Sequence, residues 1–413
     1  MPTPAPSLSN PLALGATSDP FPHYAALRRE APIFRMDATP ENSMIPFGSV
    51  WIVSRYEDAS IVLKDPTRFV QSPVAALPLE VLGAMPPMPS FMKVVAESMV
   101  MRDPPDHTRL RGVVNRAFTP RAVKQMETKI QALADKLLDG LPAQGEMDLV
   151  PRYAWPLPLG AICDMIGVPE QDREGFRKWV DELQFFPKSP EEVEKSNAAM
   201  ASFMEYAGQL VEARRKAPED DLATALVQAE EAGDRLSPDE LRGLIVQIIF
   251  AGHETIAKFL ANAVLALMQR REHWERLVRD PSQAEGITEE LLRCTSSSHQ
   301  CDRWANQDIE LNGHAIKRGD RVVVLLPAVN RDPARFPNPE EIDAARNDKG
   351  HMSFGHGSHF CVGAPLARVE ARIGLATLAR RLPTLRLNAA PEAIRWELNG
   401  PIRGVPHLPV ARG

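Results

Sequence analysis

Cysteine is scarce in this chain. Cys163, Cys294, Cys301 and Cys361 are scattered over 413 residues, with no CxxC pair and no metal-finger spacing. That excludes a disulfide framework and a zinc module, and a reducing cytoplasm is the expected setting. No apolar run is long enough to span a bilayer, and the N-terminus, Met1-Pro2-Thr3-Pro4-Ala5-Pro6, has neither a basic nor an apolar leader segment. Neither export nor a membrane anchor is therefore expected. Positive charge is not in excess either: the net charge of −6 argues against a nucleic-acid partner. There is no internal repeat and no low-complexity segment.

What is present is a globular composition, 44% hydrophobic and 25% charged, with ample material for a core. Residues 1–20 are rich in Pro, Ser and Ala and read as a loosely held arm. A helical pattern covers 21–30, and Ser49–Val53 is β-branched and aromatic, a strand signature. A short helix around Ile61–Leu63 ends at Asp65-Pro66. From Lys124 to about Ala232 amphipathic helices follow one another. Asp308–Ile316 reads as a hairpin on Asn312-Gly313, and Arg321–Leu326 as the next strand. Helices dominate and strands are few and short, so the fold class is mainly α with small β-sheets, in a single large helix-rich domain over 21–413.

The stretch Phe354-Gly355-His356-Gly357-Ser358-His359-Phe360-Cys361-Val362-Gly363 puts one cysteine in a glycine-broken loop just before a helix that starts near Ala364. Free backbone N–H groups at a helix start favour a thiolate. Glycines without a Cβ let the backbone lie close to something flat. The alternative is a buried, inert cysteine in a Gly-rich turn.

A second stretch breaks an otherwise regular helix. Ser237-Pro238-Asp239-Glu240 is a capping box with proline at the first helical position. Apolar residues then recur from Leu241 through Ile248 to Leu267 at three-and-four spacing, about seven turns and roughly 40 Å. At the centre stands Ala251-Gly252-His253-Glu254-Thr255. A mid-helix glycine costs on the order of 1 kcal/mol relative to alanine, and a threonine can bond back to the carbonyl one turn earlier. Both are also compatible with simple packing.

Phe354-x-x-Gly357-x-x-x-Cys361-x-Gly363 resembles the haem-binding signature of the cytochrome P450 family at every defining position, and Ala251–Thr255 resembles the same family's central-helix element. The resemblance covers nearly the whole chain. It implies the cytochrome P450 fold enclosing haem b, with Cys361 as the metal ligand and Phe354, Gly357 and Gly363 shaping its loop. Thr255 would be the hydroxyl and Glu254 the acid that supply protons for dioxygen reduction. Ala251 and Gly252 would lie along the cofactor, Gly252 leaving room there, while His253 is treated as structural. His107 and Arg111, four apart on one helical face, resemble the propionate-binding pair. Arg303 and His359 are implied as further propionate partners. Glu290 and Arg293 resemble the family's structural ion pair, with Arg335 or Arg346 as the third member.

The substrate wall is less defined. Prolines interrupt Leu82, Met85, Met88, Phe91 and Met92, so one continuous helix is excluded. The stretch is either an ordinary loop or a Met-rich wall for an apolar ligand. Phe185-Phe186-Pro187 would be a lid tip, Ile248 a pocket residue on the long helix, and Ser297 and Ser298 polar contacts. The implied reaction inserts one atom of O2 into an apolar small molecule, with electrons from a separate ferredoxin and its reductase, in a monomer. Arg109, Arg116, Arg121 and Arg372 are candidates for a basic docking face. The rival readings are a peroxide-driven peroxygenase of the same fold and a non-catalytic haem-binding carrier or sensor.

Overall fold

The structure, a computed structural model of the chain, describes residues 10–39, 43, 45, 47–85, 87–142, 144–183, 187, 189–231, 236–346 and 348–412. The chain divides into two compact units, each assembled from three separate stretches. The first unit comprises Met1–Pro86, Glu285–Cys361 and Ala390–Pro406; the second comprises Pro87–Ala284, Val362–Ala389 and His407–Gly413.

The first unit is built on a five-stranded sheet of β1 (Ile33–Asp37), β2 (Ser49–Val53), β3 (Phe69–Val70), β4 (Gln300–Ala305) and β5 (Arg321–Leu325), in the order β1-β2-β5-β4-β3. β2 and β5 pair in parallel, Val50 against Arg321 through Val53 against Val324. The other pairs are antiparallel. Successive side chains on a strand point to opposite faces. Trp51, Val53, Val322 and Val324 therefore enter one core with Val62, Leu63 and Phe69, while Val50, Ile52, Val323 and Leu325 enter another with Tyr24 and Leu27. A strand pair covered on both faces reads as the continuous apolar run seen in the sequence.

The N-terminal segment is not a loose arm from Asn10 onward. Leu12 is buried, and the carbonyls of Gly15 and Thr17 accept from Arg403 Nε and Nη2 at 2.8 and 2.9 Å. Residues 1–9 lie outside the described part. The hairpin forms as its turn chemistry dictates: Ile309–Leu311 pairs with His314–Ile316, and Asn312 and Gly313 take φ of 48° and 81°.

The second unit is helical: α1 (Asp106–Ala117), α2 (Pro120–Asp139), α3 (Pro156–Ile166), α4 (Pro190–Lys216), α5 (Pro238–Gln269) and α6 (Ala364–Arg381) form its frame. The capping box of α5 is complete: Glu240 N–H donates to Ser237 Oγ at 3.1 Å, and Ser237 N–H to Glu240 Oε2 at 2.8 Å. With 32 residues α5 is about 48 Å long, longer than the apolar repeat alone suggests. It is also long and apolar enough to cross a bilayer, but two thirds of its most apolar stretch is buried within the protein. α3, α5 and α6 meet closely. A Cβ at Gly374 of α6 would lie 3.1 Å from Leu157 and 3.2 Å from Leu260, so the absent side chain sets the approach of all three helices.

Between Gln71 and Met101 the chain forms short helices at Pro73–Ala76, Leu79–Ala84 and Ser90–Glu97. Prolines occupy the cap or first position of each, where the missing N–H has no intrahelical partner to lose.

Candidate active site

The Cys361 loop lies in the first unit. Gly355 and Gly357 adopt φ of 71° and 74°, a region that side chains rarely enter. A Cβ at Gly357 would also collide with the Leu63 carbonyl. Those two constraints close the loop. Gly355 N–H donates to Met352 O at 2.9 Å, Phe360 N–H to Gly357 O at 3.1 Å, and Cys361 N–H to Phe354 O at 2.9 Å. Cys361 is exposed, whereas Cys163 and Cys294 are buried. Burial pushes the Cys163 thiol up to about 12 and that of Cys301 to about 11, as expected of inert thiols.

The stem of this loop is pinned to the helix Ala284–Thr295. His351 Nε2 lies 3.0 Å from Glu289 Oε1, and Ser353 Oγ donates to Leu292 O at 2.7 Å. Asn330 bridges the two sides, accepting from Met352 N–H at 2.7 Å and donating to Ser353 Oγ at 2.9 Å.

The same helix carries Glu290 and Arg293, paired through two bonds of 2.8 and 2.9 Å with both side chains inaccessible. Of the two candidates for third member, Arg346 takes the place, donating to Glu290 Oε1 at 3.1 Å. Arg335 pairs with Asp348 instead. Arg293 also donates to the carbonyls of Asn330, Pro339 and Glu341, and the Asp343 N–H donates to Glu290 at 3.0 Å. Burial pushes the Glu290 carboxyl up, but the bonds and charge of Arg293, with Asp343 and Arg346, hold it below the usual range.

Arg303 is buried on β4, donating to Gln71 Oε1 at 2.6 Å and Asp302 O at 2.7 Å. Cys301, two residues earlier and so on the same face of the strand, has its sulfur 3.9 Å from where a Gly355 Cβ would stand. The face of β4 that bears Arg303 thus backs the Cys361 loop. His359 is partly buried within that loop.

In the second unit, α1 buries His107 and leaves Arg111 half-buried with Nε donating to Asn115 Oδ1 at 3.2 Å. On α5, Thr255 Oγ1 donates to the Ala251 carbonyl at 3.0 Å. Ala251 is exposed and Glu254 buried. Gly252 faces α3: a Cβ there would stand 2.9 Å from Ile162 Cδ1, so this glycine serves helix packing. Lys258, absent from the sequence-derived set, is buried one turn after Glu254 on the same helical face. Its signal was the Glu-to-Lys spacing of four.

The structure places the substrate-wall candidates as follows. Phe91 is 2% exposed, with its N–H donating to Asn197 of α4 at 3.0 Å, so it is core. Leu82 and Met85 pack on a cluster of Ile45, Val70, Ala76, Leu77 and Trp304 in the first unit. Met88 is exposed and Met92 partly buried. Ile248 is buried on α5. The Ser297 carbonyl accepts from the Arg403 backbone N–H at 2.7 Å, and the Ser298 backbone forms an isolated β-bridge with Ile402. Phe185 and Phe186 lie outside the described residues.

The donor set suits a metal-bearing planar cofactor. In the first unit the loop presents one exposed thiol, and the cationic Arg303 stands on the strand face behind it. Among the described residues no three His, Cys, Asp or Glu side chains cluster to hold a metal unaided. The profile of the family described as "Cytochrome P450" matches residues 176–386. The polyketide biosynthesis cytochrome P450 PksS of Bacillus subtilis is 36% identical over 396 residues, covering 95% of this chain and 96% of that protein. The chain belongs to the cytochrome P450 family. Its cofactor is accordingly haem b, and its activity that of a cytochrome P450 monooxygenase. The cytochrome P450 monooxygenase PikC of Streptomyces venezuelae is 38% identical over 397 residues, covering 95% of this chain and 91% of that one. Among solved structures, the myxobacterial cytochrome P450 CYP267B1 in complex with myristic acid aligns with a TM-score of 0.87 at 37% identity, over 99% of both chains.

Proposed function

We propose that this cytochrome P450 hydroxylates or epoxidises a large apolar natural product of the polyketide or fatty-acyl class, using electrons from a separate ferredoxin. The name of PksS, tied to polyketide biosynthesis, and the myristic acid bound by CYP267B1 support the substrate class. The observation that carries the monooxygenase reading is the pair Glu254 and Thr255 on α5, with the Thr255 hydroxyl already ordered on Ala251 O.

Cys361 would hold the haem through its thiolate. His107, Arg111, Arg303 and His359 bind the propionates as charge-assisted donors. Haem b, when bound, supplies the iron centre at which dioxygen is reduced. Thr255 Oγ1 delivers the protons consumed in that reduction and the Glu254 carboxyl resupplies them. One oxygen atom enters the substrate, the other leaves as water, and two electrons and two protons are taken up.

The candidate docking face for the electron donor is smaller than the sequence suggests. Arg109 is held by Glu240 at 2.5 Å, and Arg372 by Glu127 at 3.2 Å. Arg116 and Arg121 are the other two cations of that candidate face for an acidic ferredoxin.

The test has two parts. Spectral titration with a series beginning at myristic acid and extending to macrolactones reads displacement of the main haem band. Turnover of the strongest binder is then compared with reduced ferredoxin and with hydrogen peroxide alone. Product with ferredoxin and little with peroxide is expected. The reverse would make the protein a peroxygenase, and binding without product by either route would make it a carrier.

A further inference from the structure

The residue between Gly252 and Glu254 has so far no role. His253 is fully buried, and its imidazole stands perpendicular to Trp155, with ring centroids 4.1 Å apart and an interplanar angle of 89°. Among the described residues neither ring nitrogen finds a hydrogen-bond partner of ordinary geometry. Burial pushes the imidazole down to about 3, with the Trp155 backbone acting weakly the other way. A group neutral throughout the physiological range is a poor proton carrier, so its contribution is its ring.

The location of that ring matters. Trp155 stands at the start of α3, and Ile162, which takes up the space beside Gly252, follows on the same helix seven residues later. Seven residues are close to two turns, so Trp155 and Ile162 share one face of α3. That face grips α5 at two consecutive residues, Gly252 and His253, whose directions differ by about 100°. A helix held at two such directions cannot rotate about its axis without driving Ile162 into the backbone or tearing the stacked rings apart. The next two residues are Glu254 and Thr255. The turn needs such a restraint, because Thr255 bonds back to Ala251 O and a back-bonded threonine tends to bend a helix.

We propose that the perpendicular His253–Trp155 stack, together with the Gly252–Ile162 contact, is a clamp that sets the rotation of α5 and so the direction in which Glu254 and Thr255 are presented. His253 and Trp155 are positioning residues. The inference rests on the proton-supply reading of Glu254 and Thr255 given above.

The test compares His253→Ala with His253→Phe, each as haem-loaded protein with its thiolate carbon monoxide band intact. Two readouts are taken. The first is hydrogen–deuterium exchange of the peptide spanning residues 250–256, relative to residues 260–267 of the same helix. The second is the fraction of electron pairs released as peroxide, with a reduced [2Fe–2S] ferredoxin and the strongest binder of the titration series. His253→Ala is expected to speed exchange at 250–256 by at least tenfold, leave 260–267 unchanged, and raise the peroxide fraction at least threefold. His253→Phe, which restores a ring without a nitrogen, should return both to within twofold of the parent. General destabilisation would move both peptides together and leave the peroxide fraction of folded protein alone, and would overturn the clamp. So would wild-type behaviour of His253→Ala, or a His253→Phe protein as defective as His253→Ala. Should His253→Ala not retain haem, Trp155→Leu, which removes the partner ring, replaces it: raised exchange and peroxide support the clamp, and unchanged values overturn it. Thr255→Ala separates the two levels. If that variant does not uncouple, the proton-supply reading fails, whereas normal coupling in His253→Ala beside an uncoupled Thr255→Ala removes the clamp alone.

Discussion

Thr255 Oγ1 donates its hydrogen to the carbonyl of Ala251, 3.0 Å away and one turn back along α5. The bond orders the hydroxyl while leaving the oxygen's lone pairs available to a second donor. Thr255→Ala removes the group that passes protons on, and it should lower product per electron pair several-fold, with the difference appearing as peroxide. General acid catalysis of this kind contributes about a hundredfold or more. Thr255→Ser keeps the hydroxyl and the back-bond and should stay within about threefold of the parent, since proton transfer follows the hydroxyl rather than the methyl. The measurement is the ratio of product to peroxide at fixed reductant consumption. A Thr255→Ala protein that couples normally would remove Thr255 from the mechanism.

The network at Glu290 predicts a graded loss of stability. Arg293→Ala would leave a buried carboxylate without its main partner, which costs about 3–5 kcal/mol. Arg346→Ala removes one of several bonds to the same carboxylate, at about 1–3 kcal/mol. Arg293→Ala should therefore fail to accumulate as soluble haem-loaded protein, while Arg346→Ala folds with a lowered urea midpoint. Because the folded-state value of Glu290 is depressed, its contribution is present above the unfolded carboxylate pKa and is lost as pH falls through the folded one. Glu290→Gln should thus flatten the loss of stability below about pH 4, near the ordinary carboxylate value. An unchanged acid limb would show that other groups govern it.

Much of this was legible in the residues, and what was legible depended on short-range signals. The capping box at Ser237 and Glu240, the Asn312-Gly313 turn and the spacing around Cys361 each act within a few residues, and all three form as expected. What escaped depends on partners far away in sequence. Arg346 and Arg335 were equivalent candidates until the backbone between them folded, and the choice went to Arg346. Arg109 reads as a docking cation in a string of basic residues, but Glu240 reaches it from the start of α5. Phe91 reads as a pocket wall in a Pro-broken loop, yet Asn197 and α4 bury it. The N-terminal segment reads as loose because nothing nearby holds it; Arg403, almost the whole chain away, does.

Gly252 predicts a coupling between two helices. Alanine in place of a mid-helix glycine gains on the order of 1 kcal/mol in propensity. Here the new methyl would meet Ile162 Cδ1 at 2.9 Å and Cγ1 at 3.1 Å. Overpacking of this kind costs about 1–3 kcal/mol, so Gly252→Ala alone should be neutral to destabilising. Ile162→Val removes the obstructing Cδ1, at about 0.5–1.5 kcal/mol by itself. The double variant should then be more stable than the sum of the two single changes. A double-mutant cycle by urea unfolding measures the difference, and additivity would mean that the two positions do not touch.

The last prediction concerns a carboxyl that no step of the reaction uses. Glu370 lies on α6 one turn before Gly374, the glycine that packs against Leu157 and Leu260. It is 1% exposed, and neither oxygen has a hydrogen-bond partner among the described residues. Burial alone pushes its pKa well above the ordinary value. The folded protein therefore keeps Glu370 protonated at a pH where the unfolded chain has released that proton. With one more proton bound in the native state, stability must fall as pH rises, by about 1.4 kcal/mol per unit between the unfolded and folded values. The stability associated with this group is fully present below the unfolded carboxylate pKa and is lost as pH climbs toward the folded one. Glu370→Gln, neutral at every pH and nearly the same shape, removes the linkage. Urea unfolding at pH 5, 6, 7 and 8 should show the variant gaining on the parent as pH rises, with the smallest difference at pH 5. Parallel curves would mean that Glu370 is ionised in the folded protein, which would require a cationic partner at its carboxyl.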